Sequence, residues 1–417
     1  MKHYLWQNKD WPDLTWSCEK LLRPLSCVRK AQGAVSALLM TLPEEDRAQY
    51  CGECLADDIT ATAAIEGIGL DAKDVRLAVD GTARVNSVIF GKISPTAENL
   101  ARLHWNAFLE REALSKARLL AWHKALFSGC CLPEAGFWRA DAMRVVSGCT
   151  KSLRVHFEAP PSGHVDREMQ AFLTWFNGES LTLDGVIRAA VAHLRFLTVH
   201  PFTDGNGRTA RAVTDLALSQ DADSPWRSVS LWKTVFENRL DYYANLEAVQ
   251  KGSTDITDWI LWFLAMVQAA TDSAFTRLQA LHRQTSLWQN FLASGATARQ
   301  RAVIAKMKKD CEQGAAPFMT TRLYKELTGA SRATAWREIE ALCAAGILRQ
   351  TRAGGRSTAY TLVDAEDAGD KKGRSSEKAP PAAGNPEQVL VEVIHDARAH
   401  GPGGRLPFGH RAVLDFA

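Results

Sequence analysis

His200, Asp204, Arg208 and Arg211 follow one another at spacings of four, four and three, and Gly205-Asn206-Gly207 lies among them. These residue types in this order suit chemistry on a phosphate-bearing molecule. Val186, Ile187, Ala190, Val191, Leu194 and Leu197 recur as one apolar helical stripe. That helix should end near Val199, because Pro201 disfavours helical geometry at His200. A loop from Pro201 to Gly205 follows, and Asn206-Gly207-Arg208 opens a second helix with Val213 and Leu216 on its apolar side. The Gly-Asn-Gly segment therefore sits at a helix N-terminus. Free backbone N–H groups and the helix dipole favour an anion there, and glycine lets a phosphate approach the backbone. Arg208 and Arg211 share a helical face and suit a polyphosphate. A carboxylate beside phosphates, here Asp204, points to magnesium. A neutral His200 at the mouth of the loop can take a proton from an attacking hydroxyl. Phe202 is expected to anchor the loop in the core. His193, inside the apolar helix, reads as a structural histidine.

Residues 200–211 read HPFTDGNGRTAR. This string resembles the signature HPFx(D/E)GNGRxxR of the Fic family of AMP-transferases at every specified position. The resemblance implies a helical core, ATP as substrate with Mg2+, and transfer of AMP to a Ser, Thr or Tyr hydroxyl of a target protein with release of pyrophosphate. His200 then looks like the general base and Asp204 like the magnesium ligand. Gly205, Asn206 and Gly207 would form the anion hole for the α- and β-phosphates. Arg208 would bind the β-phosphate, and Arg211 would reach toward the γ-phosphate.

Two further stretches gain meaning beside that motif. Arg144-Val145-Val146 and Leu153–Phe157 flank Ser147-Gly148 and predict a β-hairpin turning at that glycine. It resembles the family's flap, which clamps the target segment as an added strand. Residues 62–67, Thr-Ala-Ala-Ile-Glu-Gly, resemble the family's inhibitory sequence (S/T)xxxE(G/N). Glu66 would pair with Arg211 in the place of the γ-phosphate, and Thr62 would help fix its helix against the loop. Removal of AMP, with Glu66 orienting a water, is an alternative on the same residues. Phosphate transfer, as in the Doc branch, is disfavoured by the intact glycine loop. A nucleotide-sensing regulator is disfavoured by the complete His200 and Asp204 pair.

The remainder of the chain frames these residues. Its 417 residues are 46% hydrophobic and 23% charged with a net charge of +3, a balance that fits a globular protein and argues against a nucleic-acid coat. No apolar run is long enough to span a membrane, and the N-terminus lacks the apolar core of a signal peptide, so a cytoplasmic location is expected. Cys51 and Cys54 form a CxxC without a second pair, and read as thiols filling a helix; Cys130 and Cys131 also read as free. The fold class is mainly α: a Fic-type helical core with a small β-hairpin flap and a C-terminal winged helix-turn-helix. Helices are expected over 17–42, 98–128 and 166–177. The expected domains are 1–90 (helical, with the inhibitory helix), 91–285 (catalytic core), 286–310 (helical connector), 311–363 (winged helix) and 364–417 (disordered tail). In 318–363, seven basic residues face three acidic ones. Ser331 is a plausible N-cap, Ala335, Ile339, Leu342 and Cys343 point inward, and Arg332, Thr334 and Arg337 point outward toward DNA. A homodimer is also an admissible assembly, since such modules serve protein association.

Overall fold

The computed structural model describes residues 4–83, 93–130, 132–149, 152–221, 227–293, 295–312, 318–351, 358–363, 388–392 and 411–415. The described chain is mainly helical. It runs α1 (Cys18–Met40), α2 (Glu44–Ile65), α3 (Ala72–Ala83), α4 (Pro95–Leu109), α5 (Lys116–Leu126), β1 (Arg144–Cys149), β2 (Ser152–Glu158) and α6 (Val165–Asn177). There follow α7 (Gly185–Val199), α8 (Asn206–Asp221), α9 (Leu231–Glu237), α10 (Arg239–Gln250), α11 (Thr257–Ala293) and α12 (Ala298–Glu312). The last elements are β3 (Phe318–Met319), α13 (Thr321–Thr328), α14 (Arg332–Ala344), β4 (Leu348–Gln350), β5 (Tyr360–Leu362), β6 (Gln388–Glu392) and β7 (Arg411–Asp415). Two compact units result, one of residues 1–33, 45–272 and 382–417, the other of 34–44 and 273–381.

The core of the first unit is built around α7, every residue of which is buried. A helix that is apolar nearly all round belongs inside a protein. Of its charged side chains, Arg188 donates to Ser180 Oγ (3.0 Å), Phe176 O (3.0 Å) and Gln220 Oε1 (2.7 Å). Arg195 lies over the Trp175 ring. The most extensive helix packing in this unit is α7 against α8. Behind α8, Asp215 accepts from His104 Nδ1 (2.7 Å), Trp232 Nε1 (2.9 Å) and Arg227 Nη1 (3.0 Å). Arg227 also bonds Asp58 of α2, whose other oxygen takes the Trp232 N–H at 2.9 Å. This buried network ties α2, the helix that ends just before Glu66, to α8, the helix that carries Arg211.

The expected helix over 98–128 is two helices, α4 and α5. Asn177 holds both backbone groups of Leu114, accepting its N–H (2.9 Å) and donating to its carbonyl (2.8 Å), so the chain bends there. Ser115 then caps α5 by accepting the Arg118 N–H at 3.1 Å. The hairpin also differs from expectation. Ser147 and Gly148 do not turn; they are strand residues of β1, paired with Arg154 and Leu153. Val145 pairs with Phe157 while Val146 pairs with Val155, which leaves His156 as the extra residue of a β-bulge. The helix expected over 17–42 is α1, which continues through Pro24, and Leu22 on it is 72% exposed.

In the second unit, β3, β5 and β4 form a three-stranded antiparallel sheet in that order. Its core includes Val303, Ile304, Met307, Tyr324, Ala335, Ile339 and Leu342. Ser331 caps α14 by accepting the Thr334 N–H at 3.2 Å. Most of 364–417 lies outside the described residues; β6 and β7 within it pair antiparallel. No helix among the described residues is long and apolar enough to cross a membrane.

Candidate active site

His200 caps α7 in the left-handed conformation, with φ 51° and ψ 61°. Among the described residues it alone, apart from glycines, has a positive φ. Such a backbone costs of order 1–3 kcal/mol and persists only where neighbours impose it. Here the neighbours are visible. The His200 N–H donates to Phe196 O (2.9 Å), and the ring Nδ1 donates to Leu197 O at 3.1 Å. A carbonyl can only accept, so Nδ1 carries the hydrogen and Nε2 keeps its lone pair. Burial holds the imidazole well below its usual pKa, at about 4. His200 is therefore neutral at pH 7 and presents an acceptor nitrogen.

The loop after His200 is closed by its own residues. Asn206 Oδ1 accepts the Phe202 N–H (2.9 Å) and Nδ2 donates to the Phe202 carbonyl (2.8 Å). The Asn206 side chain is thus spent inside the loop, and only its backbone is left for an anion. Phe202 is fully buried and stacks on His123 with ring centres 3.8 Å apart. Gly205 has φ 76°, and a Cβ there would meet the Phe127 ring at 2.8 Å. Arg208 is buried, 4.8 Å over the Phe127 ring, and donates to Asp204 Oδ1 at 3.2 Å. Asp204 Oδ1 also accepts the Gly205 N–H at 2.5 Å, while its side chain remains 42% exposed.

The first turn of α8 already holds a carboxylate. Arg211, 1% exposed, donates through Nη2 to Glu66 Oε1 (2.6 Å) and to the Thr62 carbonyl (3.2 Å). Gly207 gives Glu66 its room: a Cβ there would lie 2.2 Å from Glu66 Oε1. The end of α2 is held by Tyr243, whose hydroxyl donates to Ile65 O at 2.8 Å. Thr62 contributes its carbonyl; its own hydroxyl is buried with no partner among the described residues. The Nε atoms of Arg208 and Arg211 are likewise buried and unpartnered there. A carboxylate of the same protein thus sits on the Arg211 guanidinium beside Gly207.

Other expected residues fall elsewhere. His193 is buried on α7 with both ring nitrogens bonded, to Thr214 Oγ1 and Tyr242 OH, each at 2.9 Å. Cys51 and Cys54 are buried and outside any disulfide, and burial pushes the Cys51 thiol up to about 12. No group of three or more His, Cys, Asp or Glu able to hold a metal occurs among the described residues. Arg332 and Arg337 are exposed on α14, whereas Thr334 is half-buried with its hydroxyl 3.0 Å from Ser331 Oγ. Two residues were missed by motif reading. His123 accepts the Gly136 N–H at Nδ1 and donates through Nε2 to Asp204 O, both at 2.9 Å. Arg139 fans its guanidinium over the end of α7. Each lies some sixty or more positions before the loop and is an ordinary residue in its own segment, so only the fold connects them to it.

A fully buried helix, a looped anion cradle at the next helix N-terminus and a histidine poised between them define a Fic-type core. Residues 113–218 match the model of the Fic/DOC family. Residues 4–82 match a domain of unknown function, DUF4172. The chain is 29% identical over 209 residues to protein adenylyltransferase fic-1 of Caenorhabditis elegans, covering 49% of this chain and 37% of that protein. It is 26% identical over 164 residues to the probable protein adenylyltransferase aq_aa38 of Aquifex aeolicus, covering 39% and 46%. Both matches thus take in less than half of the relative's length. A Fic family protein from Desulfovibrio desulfuricans G20 has a similar fold, with a TM-score of 0.52 and 17% identity, covering 88% of this chain and 100% of that one.

Proposed function

We propose that this protein transfers AMP from ATP to a hydroxyl group of a target protein, and that Glu66 restrains the transfer. The observation that carries this reading is the Glu66 carboxylate seated on Arg211 above Gly207, where a terminal phosphate would make the same bonds. A carboxylate and a phosphate compete for one arginine because both offer paired oxygens to the guanidinium fork. The relatives named as protein adenylyltransferases support the same reaction class.

The chemistry follows from the placed residues. The acceptor oxygen attacks the α-phosphorus while its proton passes to His200 Nε2. The bond from that phosphorus to the bridging oxygen breaks, and pyrophosphate leaves. The α8 N-terminus and Arg208 offset the charge on the phosphates. Asp204 fits magnesium: it is a single, well-exposed carboxylate next to the cradle, and Mg2+ commonly takes one or two carboxylates together with substrate phosphates. Bound there, the ion would neutralise phosphate charge. Hairpin β1–β2 would hold the target segment. Removal of AMP by the same residues is the second outcome the assay must separate.

In the Glu66→Gly variant, with ATP labelled at the α-phosphate, label is expected on protein; with ATP labelled at the γ-phosphate, none. Label from the γ-position alone would establish phosphate transfer instead. Gly207→Ala is expected to weaken ATP binding at least about tenfold, because the added methyl fills the space an anion needs. Unchanged affinity in a nucleotide titration would remove the cradle from the account.

A further inference from the structure

The Arg139 side chain is 3% exposed and meets carbonyls from both sides of the site. Its Nε donates to His200 O at 2.7 Å, and its Nη2 donates to Val199 O at 3.4 Å. The same Nη2 donates to Pro160 O at 2.5 Å, and Nη1 donates to Asp141 O at 2.8 Å. Its backbone N–H donates to Pro201 O at 2.9 Å. Val199, His200 and Pro201 are the end of α7 and the start of the loop. Asp141 and Pro160 flank the root of the hairpin, where the Ala159 N–H closes onto Met143 O at 3.0 Å. One planar fork thus joins the histidine's backbone to the base of β1–β2.

We infer that Arg139 is a positioning residue that holds His200 in its left-handed conformation and fixes it relative to the hairpin. The helix end explains why an arginine serves here. The last carbonyls of α7 have no partner within the helix and form the negative end of its dipole. The guanidinium satisfies two carbonyls there, those of Val199 and His200, and a lysine ammonium cannot reproduce that fork. Acceptors on both elements then fix the ring and the hairpin together. None of Arg139's bonds reaches the Gly205–Gly207 cradle, so loss of the side chain should spare nucleotide binding. His123 does the complementary task on the cradle side, through Asp204 O.

This inference rests on the proposed AMP transfer. The test is made in the full chain carrying Glu66→Gly, comparing Arg139 with Arg139→Gln and Arg139→Lys. The kcat for AMP incorporation is expected to fall at least about thirtyfold in Arg139→Gln, while KM for ATP stays within about threefold. Arg139→Lys is expected to recover only a minor part of the loss. Should Arg139→Gln fail to accumulate as folded protein, Arg139→Lys carries the same kcat against KM comparison. A kcat within threefold of the parent overturns the inference. So does a loss of ATP binding in step with kcat, which would mark a general structural role. If the Glu66→Gly parent itself incorporates no AMP, it is the proposed reaction that fails.

Discussion

In the Glu66→Gly variant, incorporation of AMP into the protein itself and into targets is expected to rise at least about tenfold over the wild type. The reason lies in one arginine with two partners. Arg211 is almost fully buried, and its Nη2 is held by Glu66 at 2.6 Å and by the Thr62 carbonyl at 3.2 Å. The carboxylate also lies over Gly207, in the space a terminal phosphate would enter. On the proposed reading, ATP displaces it to be held fully by the cradle. The same change carries a stability cost. It leaves a buried guanidinium without its acid, a loss of about 1–3 kcal/mol. The melting temperature should therefore fall in the absence of nucleotide and recover when ATP is added. Incorporation of labelled AMP equal to that of the wild type would remove the brake from this account.

The second large effect concerns His200. In the Glu66→Gly background, His200→Ala is expected to lower AMP incorporation by about 100-fold to 10,000-fold, the usual range for a general base. Nucleotide affinity should change little, since the cradle is built from the first turn of α8 and not from the imidazole. The tautomer is fixed by the bond from Nδ1 to Leu197 O, and burial keeps the ring neutral, so Nε2 is ready to accept. A variant retaining more than a tenth of the parent's rate would assign the proton to another acceptor.

Much of this site can be read along the chain because its chemistry is compressed into residues 200–211. The apolar stripe of 186–197 announces α7, Pro201 announces its end, and the glycines announce a helix N-terminus. Glu66 is legible only beside that motif; alone, an acidic residue at a helix end says little. What could not be read comes from packing. Asn206 looks like an anion ligand in sequence, yet its amide is consumed by Phe202. His123 and Arg139 are tied to the loop only by the folding of α5 and the hairpin root against it. The hairpin was legible as alternation, but Ser147 and Gly148 pair within the strand and a bulge stands at His156. The break between α4 and α5 depends on Asn177, some sixty residues downstream of Leu114. A side chain that acts from such a distance leaves no periodic trace at the place it shapes.

The most direct test of the central claim is intact-mass analysis of the Glu66→Gly protein after incubation with ATP, CTP, GTP and UTP in turn, beside the wild type. The account predicts a gain of one or more AMP units with ATP, localised to a hydroxyl residue, and little or none in the wild type. A gain of phosphate, a gain of another nucleotide in preference to AMP, or no gain at all with any of the four would contradict it.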